Sequence, residues 1–428
     1  MKLGLVRSLM SKFAQVRRDA GLAVALARAG GYLHRRIAGG PGDLVPVGAT
    51  DSTAYLGPVW RDLAQRGAFH IHTKHSQDRP KIALIGDLNL PQCRKYRVEQ
   101  LAELWAGLGV DLSFAHYQDL PRATGILQDA THLICYRVSA CPELSMHLYE
   151  ARRLRLPVLY DIDDPLFSVS AYETYGNMTC LDPALRTHFV TEAPRYLDAM
   201  NAADIISVST PGLADHARLL TDRPVFVRRN FADTTTLKLG AGARDAARAD
   251  GFRIVFASGS QGHEADFATI AEEVAEFLHA APDRRLIILG HFDLATLPAG
   301  VRARCEKRPF TGYDEYLNAL AEADCAVMPL ADDTFNHCKS AVRAIDAAAV
   351  SVPAIASDVG DFPNVITHGR TGLIAGQGMW HAALERLTAD SIATRAMGHA
   401  ARRDLEARWS ASRAPQIIAP ELVDWVLG

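Results

Sequence analysis

Along this chain, short apolar runs alternate with longer stretches whose apolar residues recur at helical spacing. The runs in the first half are KIALIGD from Lys81, VDLSFAHY from Val110, THLICYRVS from Thr131, PVLYDIDD from Pro157 and IISVST from Ile205. Between them RVEQLAELWAGLG, Pro142 to Leu154, DPALRTHFVTEAPRYLDAMNAAD and PGLADHARLL read as helices. The alternation breaks at Asp233 to Asp250, where small residues dominate. It restarts with FRIVFASG, RRLIILG, DCAVMPL and PAIAS, which are separated by three helical stretches and followed by a helical tail from Trp380 to Trp409. Short buried strands alternating with helices mark a parallel sheet covered on both faces. The pattern predicts an α/β chain of two Rossmann-like, doubly wound domains facing across a cleft, at 78–232 and 251–410. A linker is expected over 233–250 and a helical or irregular extension over 1–77, with an irregular excursion at 38–60. Residues 411–428 are expected to form a helix crossing back to the first domain.

Composition narrows the class. With 428 residues, 48% of them hydrophobic, two cores are within reach. A net charge of −3 attracts no nucleic acid globally, and none is expected as a partner. Seven cysteines lie scattered without CxxC pairs, several inside apolar runs, so neither a disulfide framework nor structural zinc is expected and a reducing compartment fits. No apolar run approaches the ~18 residues of a membrane span. Near the start, Leu5, Leu9, Phe13 and Val16 share one helix face while Arg7, Lys12, Arg17 and Arg18 lie elsewhere. Such a helix packs on its own domain or, through residues 1–35, rests on the anionic inner membrane. The expected location is cytoplasmic, with peripheral contact at the cytoplasmic face as an added reading.

Ligands of doubly wound sheets bind beyond the C-terminal ends of the strands, and each candidate motif lies at such an end. SGSQGHEAD follows the first strand of the second half. Ser258, Gly259 and Ser260 let a ligand approach the backbone, with His263 and Asp266 beside the next helix start; alternatively Ser260 merely caps that helix. Asn336, Lys339 and Ser340 precede a helix that carries Asp346. A lysine and backbone amides at a helix start suit a diphosphate, and Asp346, about two turns on, suits a sugar hydroxyl pair. In YDIDDPLF, Asp161, Asp163 and Asp164 can grip sugar hydroxyls, supply a base or hold a divalent ion, and an acceptor-cleft role is favoured. CRKYRV offers Arg94, Lys95 and Arg97 to an anion across the cleft, or forms a solvated basic turn. Gly290, His291, Arg308 and Tyr313 follow strands of the second sheet, where a base and ribose are lined. No GxSxG, HExxH, GxxxxGK[ST] or GxGxxG is present, against hydrolase, zinc protease, P-loop kinase and simple dehydrogenase.

SGSQGHEADF, FNHCKSAVRAIDAAAVSVPAIAS and HGRTGLI together resemble the GT-B glycosyltransferases, most closely the retaining group called family 4, over about residues 250–410. CRKYRV and YDIDDPLF look more loosely like the acceptor domain of bacterial cell-surface sugar transferases. The resemblance implies a nucleotide-diphosphate sugar held in the second domain and a glycan or lipid-linked acceptor in the first. It further implies transfer without a metal or cofactor, in cell-surface polysaccharide synthesis. Lys339, His263 and Asp163 are the expected catalytic residues. Asp346 stands where the family has a ribose-gripping glutamate, Cys338 where many members carry a sugar-contacting glutamate, and Ser351 where glycine is frequent. Gly262 and His263 replace the family's arginine-lysine pair. A nucleotide-sugar epimerase of the same plan, a non-catalytic glycan-binding subunit and a metal-dependent transferase using Asp161 and Asp163 are the alternatives.

Overall fold

The computed structural model describes residues 50–67, 69, 79–243, 251–410 and 414–428, with isolated positions 17, 22, 26 and 29. The amphipathic face of Leu5, Leu9, Phe13 and Val16, with the membrane contact expected of it, lies outside the described residues. Contacts divide the chain into Met1–Gly57 and Pro58–Gly428, and the architecture below belongs to the second unit. Thr50–Gln65 is helical, where an irregular excursion was expected. Among the described residues no helix is long and apolar enough to cross a membrane.

Two six-stranded sheets organise the chain. The first holds β1 (Lys81–Gly86), β2 (Asp111–His116), β3 (His132–Tyr136), β4 (Val158–Ile162), β5 (Ile205–Val208) and β6 (Val225–Val227), in the order β2-β1-β3-β4-β5-β6. In the second lie β7 (Arg253–Ser258), β8 (Arg285–Gly290), β9 (Cys305–Arg308), β10 (Cys325–Met328), β11 (Ala354–Ala356) and β12 (Gly372–Ile374), in the order β12-β11-β10-β7-β8-β9. All ladders are parallel. The central strands are buried along their length, as strands covered on both faces must be. Each sheet reverses its winding at one point, between β1 and β3 in the first and between β7 and β10 in the second. At such switch points adjacent loops part and leave a crevice.

The domain boundary is sharper than the composition suggested. Phe231 is buried in the core with Ile82 and Leu84, whereas the next residue, Ala232, is buried with Val255 and Ile287. Thr234–Ala243 is a helix of the second domain rather than a linker. Gly240 lies so close to the Ala349 carbonyl that a Cβ would sit 2.3 Å from it, and Arg402 Nη2 donates to the Leu237 carbonyl at 3.0 Å. Its alanines and glycines, read as linker composition, are what close helix packing requires. The chain returns beside its outward path. Ala232 bridges to Ser410 and Arg228 to Ile418, with Ala232 N donating to the Trp409 carbonyl at 2.7 Å. Helix Pro420–Leu427 then packs Leu422 and Val426 into the first core, with Trp105 and Ile82. The single tail read over Trp380 to Trp409 is two helices, Trp380–Ala389 and Ser391–Arg408, separated by Asp390, whose carboxylate caps the second.

Candidate active site

The two switch points face each other across a cavity of about 700 Å³. From the second domain, Ser258, Gly259 and Ser260 at the end of β7 line it, with His263, Gly290, Arg308 and Tyr313. Lys339, Ser340, Arg343 and Asp346, after β10, complete that wall. Across the cleft stand Gln92, Cys93, Lys95 and Tyr96 after β1, Arg137 after β3, and Asp163 and Asp164 after β4. Gly290 has φ +95, and any side chain there would place its Cβ 2.1 Å from the Ser258 carbonyl. Only glycine lets β8 end so close to the β7 loop.

Asp346 lies on helix Val342–Ala349 and is buried. Tyr96 donates its hydroxyl to Asp346 at 2.5 Å and Tyr313 does so at 2.7 Å. Burial raises its carboxyl to about 6, against the lowering effect of the two tyrosines. The carboxylate therefore joins the domains, because Tyr96 belongs to the first and Tyr313 to the second. Lys339 precedes that helix, three residues before its first, and is not on it. Its ammonium is 3.8 Å from Asp164, above the rings of Phe335 (5.0 Å) and Tyr175 (5.5 Å). Burial opposes its charge, yet Tyr175 and Asp164 hold its pKa above the ordinary lysine value.

His263 donates from Nδ1 to Asp266 at 2.9 Å and accepts at Nε2 from the Ser260 hydroxyl at 3.2 Å. Burial of Asp266 is outweighed by the hydrogen bond and charge of His263 and the amide of Asn177, which bring its carboxyl to about 2. Burial lowers the His263 pKa, with Lys339 and Arg343 adding to the effect. The ring is thus neutral near pH 7, so the catalytic role expected of His263 is not that of a cation. Asp163 takes a charge-assisted bond from Arg137 at 2.6 Å. Burial pushes its carboxyl up, but Arg137 and Arg97 bring it below the ordinary value. It is ionised and a weak base.

Four sequence expectations are corrected. Arg97 is fully buried and forms a two-bond pair with Asp161, at 2.9 and 2.6 Å. Arg228 closes on the same carboxylate at 3.3 Å, and Ser207 also donates to it. Arg97 and Asp161 are therefore the buried polar pin of the first domain and do not line the cavity. Arg94 pairs with Glu99 at 2.9 Å, away from the lining. Asn336 is buried among Asp266, Asp333 and the Ala331 carbonyl, and shapes the β10 loop without reaching the cavity. Cys338 is buried in the first domain's core cluster with its thiol toward the Thr334 carbonyl at 3.3 Å, and makes no wall of the site. Among the described residues no three His, Cys, Asp or Glu side chains group so as to hold a metal ion.

Three contributors went unseen in the sequence. Tyr96 and Arg137 come from the facing domain, and only the cleft geometry brings them in. Arg343 had a signal: it lies three residues before Asp346, and such residues share a helix face.

Residues 251–390 match the family model described as glycosyl transferases group 1. No curated protein sequence matches. Among solved structures, sucrose-phosphate synthase of Thermosynechococcus elongatus is similar at TM-score 0.56 and 17% identity, over 82% of this chain and 99% of that one. HepE of Anabaena, solved with UDP and glucose, aligns at TM-score 0.51 and 13% identity, over 81% of this chain and 100% of its own. A UDP-forming trehalose-phosphate synthase of Burkholderia xenovorans aligns at 0.51 and 11%, over 82% and 100%. The chain thus has the two-sheet GT-B architecture of these structures, and its residues 251–390 match glycosyl transferases group 1.

Proposed function

We propose that this enzyme moves a hexose from a nucleotide-diphosphate sugar to a hydroxyl of a glycan or lipid-linked acceptor, with retention and without a metal, in cell-surface polysaccharide synthesis. One observation carries the reading. The loops after β7 and β10 converge with Lys339 and Asp346 on one side of a cavity whose other side is Arg137, Asp163 and Asp164. The bound UDP of HepE supports a nucleotide donor by analogy.

In this reading the ribose hydroxyls donate to Asp346 and the diphosphate lies against Lys339 and the backbone near Gly259 and Ser260. Transfer breaks the bond between the anomeric carbon and the diphosphate oxygen, whose electron pair leaves with the phosphate. The acceptor oxygen bonds that carbon on the face being vacated, and its proton passes to the departing oxygen. Negative charge grows on that oxygen, and a fixed cation in a dry site stabilises it more than water can. Asp163 and Asp164, held by Arg137, orient hydroxyls on the acceptor side.

A thermal-shift panel of UDP-, GDP-, ADP- and TDP-sugars identifies the donor, because a ligand at a hundredfold excess over Kd adds about 2.7 kcal/mol to the folded state. With that donor, Lys339→Ala is expected to lower turnover at least ~tenfold with folding intact. An unchanged rate removes Lys339 from the chemistry. Turnover is expected to survive a chelator. Product released as an epimer without acceptor would instead assign the epimerase. The buried Cys338 favours one second reading, a sugar-binding subunit, which would bind the donor and never turn it over.

A further inference from the structure

Five Lys and Arg side chains line the cavity, and four are neutralised by carboxylates. Lys95 pairs with Asp233 at 2.9 Å, Arg137 with Asp163 at 2.6 Å, Arg308 with Glu322 at 2.7 Å and Lys339 with Asp164 at 3.8 Å. The fifth, Arg343, makes neither an ion pair nor a hydrogen bond among the described residues, and its Nη1 is buried without a partner. Its guanidinium instead lies near two aromatic rings, Phe256 at 6.0 Å and Phe362 at 5.8 Å. The helix that carries it, Val342–Ala349, starts at Ala341 with no side-chain cap, and its first residues line the same cavity.

A half-buried cation with one desolvated, unpartnered nitrogen and no ion pair weakens the fold that holds it, so its retention calls for an anion that arrives from outside. We infer that Arg343 is the primary anchor for the donor's diphosphate, gripping it by a two-pronged guanidinium bond. Lys339, already shared with Asp164, is the secondary cation. Arg343 thereby supplies from the β10 side the charge that Gly262 and His263, after β7, do not. Planar guanidinium geometry suits two oxygens of one phosphoryl group, which an ammonium cannot match. The inference rests on the nucleotide-sugar reading for the identity of the anion, but not for the existence of an anion site.

The test uses inorganic pyrophosphate, which carries neither base nor sugar. Calorimetric titration of the full chain is expected to show pyrophosphate binding that falls at least ~30-fold in Arg343→Met, with Arg343→Lys between the two. In anion-free buffer Arg343→Met is expected to raise the melting temperature, since it removes a partly buried charge that has no ion-pair partner and that Asp266 offsets only from a distance. A residue with a purely structural role would lower it. Unchanged pyrophosphate affinity in a folded Arg343→Met or Arg343→Lys overturns the inference, as does binding lost equally in both. If pyrophosphate binding depends on Arg343 while no sugar donor is turned over, the anchor stands and the transfer reading fails. Turnover that is indifferent to Arg343→Met leaves the reverse.

Discussion

At the scale of the residue, two buried aspartates are partnered differently. Asp346 sits high, at about 6, because burial disfavours its charge. Its folded-state value exceeds the ordinary 3.8. The stability it contributes is therefore full below that ordinary value and is lost as pH rises through about 6. The grip on ribose proposed for it needs the ionised form, so donor affinity is expected to run the other way and fall as pH drops below about 6. Calorimetry across this range should show both trends, and Asp346→Asn should flatten them. Donor affinity constant through that window would release Asp346 from the ribose. Asp161, by contrast, stands between Arg97 and Arg228, both fully buried. Asp161→Asn leaves two guanidinium groups facing each other in the core and is expected to cost about 3–5 kcal/mol in a denaturant titration. A loss below 1 kcal/mol would show the cluster to be solvated. The sequence places Asp161 and Asp163 in one motif, and no local rule separates them. Strand alternation would put both on one face; β4 ends at Ile162, so Asp161 stays buried within the strand while the loop beyond it carries Asp163 to the cleft.

At the scale of the element, the buried runs announced nine of the twelve strands. The strands passed over were β6, β9 and β12. Two of them have three residues, and β9 is Cys-Glu-Lys-Arg on an open sheet edge. Short edge strands bury too little to impose an apolar pattern. Helix Thr234–Ala243 misled for the opposite reason, since alanine and glycine serve tight packing as readily as they serve a linker. Ser351 shows the same contest. Its φ of +59 is the left-handed conformation that favours glycine. The terminal helix Pro420–Leu427 is short, yet Leu422 is buried in a core with Ile82, Leu84 and Trp105, from the far end of the chain. Leu422→Ala is expected to destabilise the first domain by about 2–5 kcal/mol. Hydrogen exchange at Ile82 and Leu84 would report the change there rather than in the second sheet.

At the scale of the whole molecule, the site exists only while the domains are together. Tyr96 reaches Asp346, the Asn230 amide donates to Ser340 at 3.0 Å and the Thr210 hydroxyl donates to the Cys338 carbonyl at 2.9 Å. Beside this last bond, a Cβ on Gly212 would lie 2.4 Å from the His337 carbonyl. Gly212→Val should therefore prop the cleft open and weaken donor binding while both cores stay folded. A larger radius of gyration with unchanged circular dichroism is the expected signature, and unchanged donor affinity would show the contact to be incidental. None of these pairs is near in sequence, which is why charge and motif alone could nominate the walls of the cavity without showing how they meet.

The chain passes between its domains twice, at 231–232 and again between 409 and 417, and the two threads lie hydrogen-bonded side by side. A lone tether would let the lobes swivel in any direction. A doubled one behaves as a strap hinge, free to swing and stiff to torsion. Any opening of the cleft about this doubled tether would be guided back along one arc, and Tyr96 would meet Asp346 again without a search.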